Sequence, residues 1–157
     1  MTFAQRERER LGLLLLDVGP DAPTLNDGWT TQDLAVHLLI RERKPWAAPG
    51  ILIPAAKPLL ERETKKQKAR PYGDVVREWV AGPPALLAPV DAKMNGAEHF
   101  IHHEDVRRGR GVVQPREFSK AVNADLMRYV KRFAALTLRG SEVPVVLTPQ
   151  DLPPITA

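Results

Sequence analysis

The chain has 157 residues, a one-domain length that can bury a core without disulfide or metal staples. It contains no cysteine, which excludes a disulfide framework, a zinc finger and a cysteine nucleophile, so any metal must be held by nitrogen and oxygen ligands. The formal charge of +4 would suit a nucleic-acid partner, but most basic residues alternate with acids, as in Arg41-Glu42-Arg43-Lys44, the pattern of a solvated helix face.

In chain order, the amino terminus opens with the charged run Arg6-Glu7-Arg8-Glu9-Arg10. The apolar stretch after it, Leu13 to Leu16, is too short for a secretory segment or a membrane span, so a cytoplasmic protein without membrane contact is expected. Leu11, Leu14 and Leu15 mark a helix from about Phe3 to Asp17, closed by Gly19-Pro20. Asn26-Asp27-Gly28 reads as a turn. Thr30 is then an N-cap with Asp33 three residues on, and Leu34, Val36, Leu38, Leu39 and Ile40 carry a second helix to about Lys44, where Pro45 ends it. Residues 45 to 70 form a long crossover with a short helix from about Ala55 to Lys68. Within it Lys65, Lys66, Lys68 and Arg70 form a one-sign cluster without aromatic residues to stack on bases.

Tyr72 to Val80 has a helical pattern stopped by Gly82-Pro83-Pro84. Asp91 can cap a further helix to about Arg108, and Glu117 to Leu138 gives the last long one. Val145 to Leu147 is short and β-branched, a candidate C-terminal edge strand. The reading is all-α, with a helical bundle over 1–140 and a tail over 141–157.

The chemistry concentrates in Glu98-His99-Phe100-Ile101-His102-His103-Glu104-Asp105. On a helix, Glu98 and His102 lie one turn apart and Asp105 extends their stripe, but His99 and His103 make a competing pair at the same spacing. Met94, Ala97 and Ile101 mark the buried side, which puts Glu98 at its border and His99 nearly opposite. The pattern leaves His102 against His103 nearly open. A carboxylate at a core edge needs a cation or a salt bridge. His37 sits on an apolar stripe between Leu34 and Ile40, where a histidine hydrogen-bonded at the core edge is the simpler reading. Two histidines and a carboxylate would suit zinc, nickel or ferrous iron with a coordination position left open, and Asp105 and Glu104 are candidates to orient a ligand histidine.

At these residues the chain resembles the DinB-like metal-binding proteins related to mycothiol-dependent maleylpyruvate isomerase. Trp29-Thr30-Thr31-Gln32-Asp33-Leu34-Ala35-Val36-His37-Leu38 looks like the family's W-T-x-x-D-L-x-x-H-L motif, and Glu98 to Asp105 is similar to its E-x-x-x-H-x-x-D element. The resemblance implies a four-helix bundle with a long crossover after the second helix and a metal, usually zinc, held by His37, Glu98 and His102. It also implies a low-molecular-weight thiol such as mycothiol as cosubstrate, with an electrophile as acceptor, in an S-transferase type of reaction. The alternatives are a non-catalytic metal-binding or stress-related bundle, a homodimerisation module and, least, a nucleic-acid-binding protein. Relatives continue into a β-containing segment that is not recognisable in Pro153-Pro154-Ile155-Thr156-Ala157, so a shortened chain is expected, and the isomerase's C-terminal basic residue has no counterpart.

Overall fold

The computed structural model describes residues 1–83, 95–149 and 154–156 and is mostly helical. Among the described residues no helix is long and apolar enough to cross a membrane. The chain divides into two compact units, Met1–Gln114 and Pro115–Ala157. The division falls ahead of the last long helix, where the sequence reading placed it at residue 140; residues 112–119 carry no regular structure between the helices on either side.

Among its described residues the first unit holds five α-helices: α1 (Phe3–Val18), α2 (Thr31–Arg43), α3 (Lys57–Lys68), α4 (Tyr72–Val80) and α5 (Gly96–Gly109). Helix α1 starts at a capping box in which the Thr2 hydroxyl accepts from Gln5 N and the Gln5 side chain accepts from Thr2 N. Helix α2 starts at the same device, built from Thr30 and Asp33, and stops with Lys44 before Pro45. The crossover forms two short 3₁₀ turns, Ala48–Ile51 and Pro54–Ala56, before α3. The expected cap Asp91 and the expected buried Met94 lie outside the described residues.

Helix α2 is the centre of the unit. Thr31, Leu34, Ala35, Val36, Leu38, Leu39 and Ile40 are all buried, because α3 and α4 pack on it and α1 closes from another side. Leu11 and Leu15 of α1, Val75, Val76 and Trp79 of α4, and Val106 of α5 complete one apolar core. A helix buried almost all round has little amphipathic contrast, so the polar residues it does carry stand out. His37 and Arg41, one turn apart, remain part-exposed.

Helix α5 packs chiefly on α1. Its last residue, Gly109, meets the loop before α2 so closely that an added Cβ would lie 2.7 Å from Pro23 O and from backbone carbons of Thr24. The same loop donates from Leu25 N to Asp105 O at 3.1 Å. Gly109→Ala is expected to lower stability by about 1–2 kcal/mol, since overpacking against backbone outweighs the gain of up to about 1 kcal/mol in helix propensity. A denaturant midpoint equal to or above wild type would contradict this close approach.

The second unit contains α6 (Lys120–Thr137), whose first turn is capped by the Ser119 hydroxyl, and a two-stranded antiparallel sheet. Strand β1 (Val146–Leu147) pairs with β2 (Ile155–Thr156), Val146 opposite Thr156 and Leu147 opposite Ile155.

Two expectations from charge and periodicity are corrected by this packing. The charged runs of α1 and α2 are not solvated faces throughout: Glu7 and Arg8 are 0% and 3% exposed, and the Glu42 side chain is 2% exposed. His99 does not face away from the core but is fully buried, while Ile101, expected inside, is 40% exposed. The physical reason is that α5 buries two polar stripes and leaves an apolar residue at the surface.

Candidate metal centre

One stripe of α5 presents Glu98, His102 and Asp105 at spacings of four and three residues, towards the His37 and Arg41 stripe of α2. His102 Nε2 lies 3.2 Å from Glu98 Oε1, His37 Nε2 lies 3.8 Å from the same oxygen, and the three groups offer ligand atoms all within 4.8 Å of one another. The side chains are partly reachable from solvent, His37 at 17%, His102 at 11% and Glu98 at 25% exposure. The imidazoles of His37 and His102 meet edge to face with centroids 5.5 Å apart, and Trp29 packs on His37 at 5.2 Å.

Asp105 Oδ2 lies 2.9 Å from His102 Nδ1. A carboxylate only accepts, so Nδ1–H donates to Asp105 and Nε2 is turned to the point shared with Glu98 and His37. Glu104, the other candidate to orient a histidine, accepts from Arg107 at 2.7 Å and Arg108 at 3.0 Å along its own helix.

Arg41 was not anticipated. Its Nε lies 3.3 Å from Glu98 Oε1 and its Nη1 donates to Asn95 Oδ1 at 2.5 Å. The signal that could have found it is its position four residues after His37, on the same face of the same helix. This arginine gives Glu98 the salt bridge that a core-edge carboxylate needs. The His102 hydrogen bond, the approach of His37 and the Arg41 charge together hold the Glu98 carboxyl far below the usual carboxylate range against the effect of burial.

His102 shifts the opposite way. Burial disfavours its charged form, but the hydrogen bonds to Asp105 and Glu98 and their charges raise its pKa from 6.5 to about 9. A proton therefore sits on Nε2 at neutral pH, at the point that a metal would take. Because the folded value lies above the unfolded one, the stability from this proton is whole below about pH 6.5 and is lost as pH rises through about 9. The metal-free protein is expected to show a falling melting temperature across that window, and His102→Gln should flatten the fall; an unchanged slope in the variant would disprove the assignment.

The other buried stripe of α5, His99 and His103, faces α1. His99 Nδ1 lies 3.0 Å from the Ala4 carbonyl oxygen and Nε2 lies 2.7 Å from Glu42 Oε1, while His103 Nδ1 lies 3.3 Å from Glu7 Oε2. Glu42 also accepts from Arg8 and, at 3.0 Å, from the Trp79 indole N–H. Burial pushes the Glu42 carboxyl up, but these partners hold it below its ordinary value. The competing histidine pair is thus engaged in an internal ionic network with no carboxylate stripe open to solvent.

Of the basic cluster, Lys68 pairs with Asp33, and Arg70 donates to Glu78 at 2.7 Å and Gln67 at 2.5 Å, which leaves less free charge for phosphate than the sequence suggests. The chain matches no protein-family model, no curated protein and no solved structure.

Proposed function

We propose that the chain is a divalent-metal-binding protein of the DinB-like type, a four-helix bundle in which His37, Glu98 and His102 hold the ion. The observation that carries this reading is the convergence of two imidazole nitrogens, from two helices, on one carboxylate oxygen at 3.2 and 3.8 Å. Ligands about 2.1 Å from a tetrahedral zinc stand roughly 3.4 Å from one another, so the two distances bracket what the ion requires. Asp105 presets the His102 tautomer, and Trp29 packs against the His37 ring. Three protein ligands at a partly exposed rim leave a position for an exogenous group. Zinc fits the nitrogen and oxygen donors, as do nickel and ferrous iron.

The activity that goes with this site is transfer of a low-molecular-weight thiol such as mycothiol to an electrophile. When bound, the ion would lower the pKa of a coordinated thiol so that it is a thiolate near neutral pH. The residues of this chain hold the ion, fix the imidazoles and position the charge of Arg41 beside the reacting end. The second reading is a metal-binding bundle without catalysis, in which the ion, with the Arg41–Glu98 pair beside it, only fixes the two helices.

Metal analysis of the purified protein, followed by an assay of mycothiol consumption with a panel of electrophiles, separates these readings. Metal with thiol turnover supports the transferase. Metal without turnover leaves the binding protein, and failure to take up zinc, nickel or ferrous iron overturns both.

A further inference from the structure

The candidate ligands come from α2 and α5, yet among the described residues α5 packs chiefly on α1 and its backbone scarcely meets α2. The distance from His37 to Glu98 and His102 is therefore set by side chains that cross between the two helices. Arg41 reaches Asn95 and Glu98, but the Arg41 and Glu98 side chains are each 25% exposed. The buried crossing is made by Glu42 of α2 and His99 of α5, whose side chains are 2% and 0% exposed, at 2.7 Å. A carboxylate and a carbonyl oxygen only accept, so His99 Nε2–H donates to Glu42 and Nδ1–H donates to Ala4 O.

These bonds close a ring. Arg8 of α1 donates to Glu42 of α2, Glu42 accepts from His99 of α5, and His99 donates back to Ala4 of α1. Trp79 of α4 donates to the same Glu42 oxygen at 3.0 Å and meets the His99 ring edge to face with centroids 5.4 Å apart. Helix α2 cannot slide along α5 or draw away from it without breaking a buried hydrogen bond. Glu42 follows His37 by five residues on α2, and His99 sits between Glu98 and His102 on α5. A metal site needs its ligands held to within about 0.5 Å, and that demands a fixed separation of the helices that carry them. We propose that the Glu42–His99 bond is the brace that sets this separation, which makes both residues positioning residues for metal binding. The inference rests on the metal reading and gives the internal network a part in it.

Cobalt(II) serves as the probe because its visible absorption reports its coordination geometry. Two changes at His99 separate the brace from general packing, since the amide nitrogen of Gln reaches about as far as Nε2 and that of Asn about as far as Nδ1. His99→Gln thus keeps a donor for Glu42, and His99→Asn keeps only the donor for Ala4. At similar melting temperatures, cobalt affinity should stay close to wild type in His99→Gln and fall by about 10- to 100-fold in His99→Asn, with an altered spectrum. Glu42→Gln keeps an acceptor for His99 but loses the charge beside Arg8, so it should melt at lower temperature while its cobalt affinity stays close to wild type. That variant tests the brace even if neither His99 variant folds. Equal affinities and spectra in His99→Gln and His99→Asn, or an affinity that falls in step with stability in Glu42→Gln, would overturn the brace and leave the ring a stabilising device alone. Failure of wild type to bind cobalt would overturn the metal reading itself, and the brace with it.

Discussion

Replacing Glu42 by alanine is expected to destabilise the protein by about 3–5 kcal/mol, the cost of leaving a buried charge without its partner. Glu42 is the shared acceptor for Arg8, His99 and Trp79, and its side chain is 2% exposed. Without it the Arg8 guanidinium, 3% exposed, keeps its desolvation penalty but loses the Glu42 charge. At about 2–4 °C per kcal/mol for a chain of this size, the melting temperature should fall by roughly 10 °C. The double variant Arg8→Met, Glu42→Ala removes both charges and should lose less than the sum of the two single changes. Thermal unfolding of the three variants checks this; additive losses would mean that the pair does not act as a unit.

The second large effect concerns metal uptake. His102→Ala removes a ligand on which both Asp105 and Glu98 converge, and it should weaken zinc binding by about 100-fold or more, the scale on which even loss of a supporting partner costs 10- to 100-fold. In wild type, binding at pH 7 should release about one proton, because the His102 pKa of about 9 keeps Nε2 protonated until the ion displaces it. Calorimetry in two buffers of different ionisation enthalpy measures that proton. No proton release, or zinc affinity unchanged in His102→Ala, would show that His102 is not a ligand.

Much of the fold was legible because its signals are local. The Thr30 and Asp33 box, the Pro45 break and the bounds of the Tyr72–Val80 helix depend on residues within one turn of each other. The convergence of His37 with Glu98 was legible through the family motifs rather than through periodicity, which left His37 as an ordinary core-edge histidine. Periodicity misread His99 for a definite reason. A helix that buries polar groups on two faces gives no apolar stripe to count, and the partners of His99 and His103 lie on other helices, in Glu42, Glu7 and Ala4. Arg41 and Glu42 are adjacent in a run that looks solvated, yet one joins the candidate metal centre and the other the internal network. Charge pattern along a sequence does not say which of its members a neighbouring helix will cover.

The ligand set is split between α2 and α5, with sixty residues of chain between His37 and Glu98. Such a pair meets only after α2 and α5 have been brought together, so an ion gripping both would act on the rate at which the structure comes apart more than on the rate at which it forms. Occupancy of the centre would therefore govern how long a folded molecule persists, a kinetic lifetime set by metal supply.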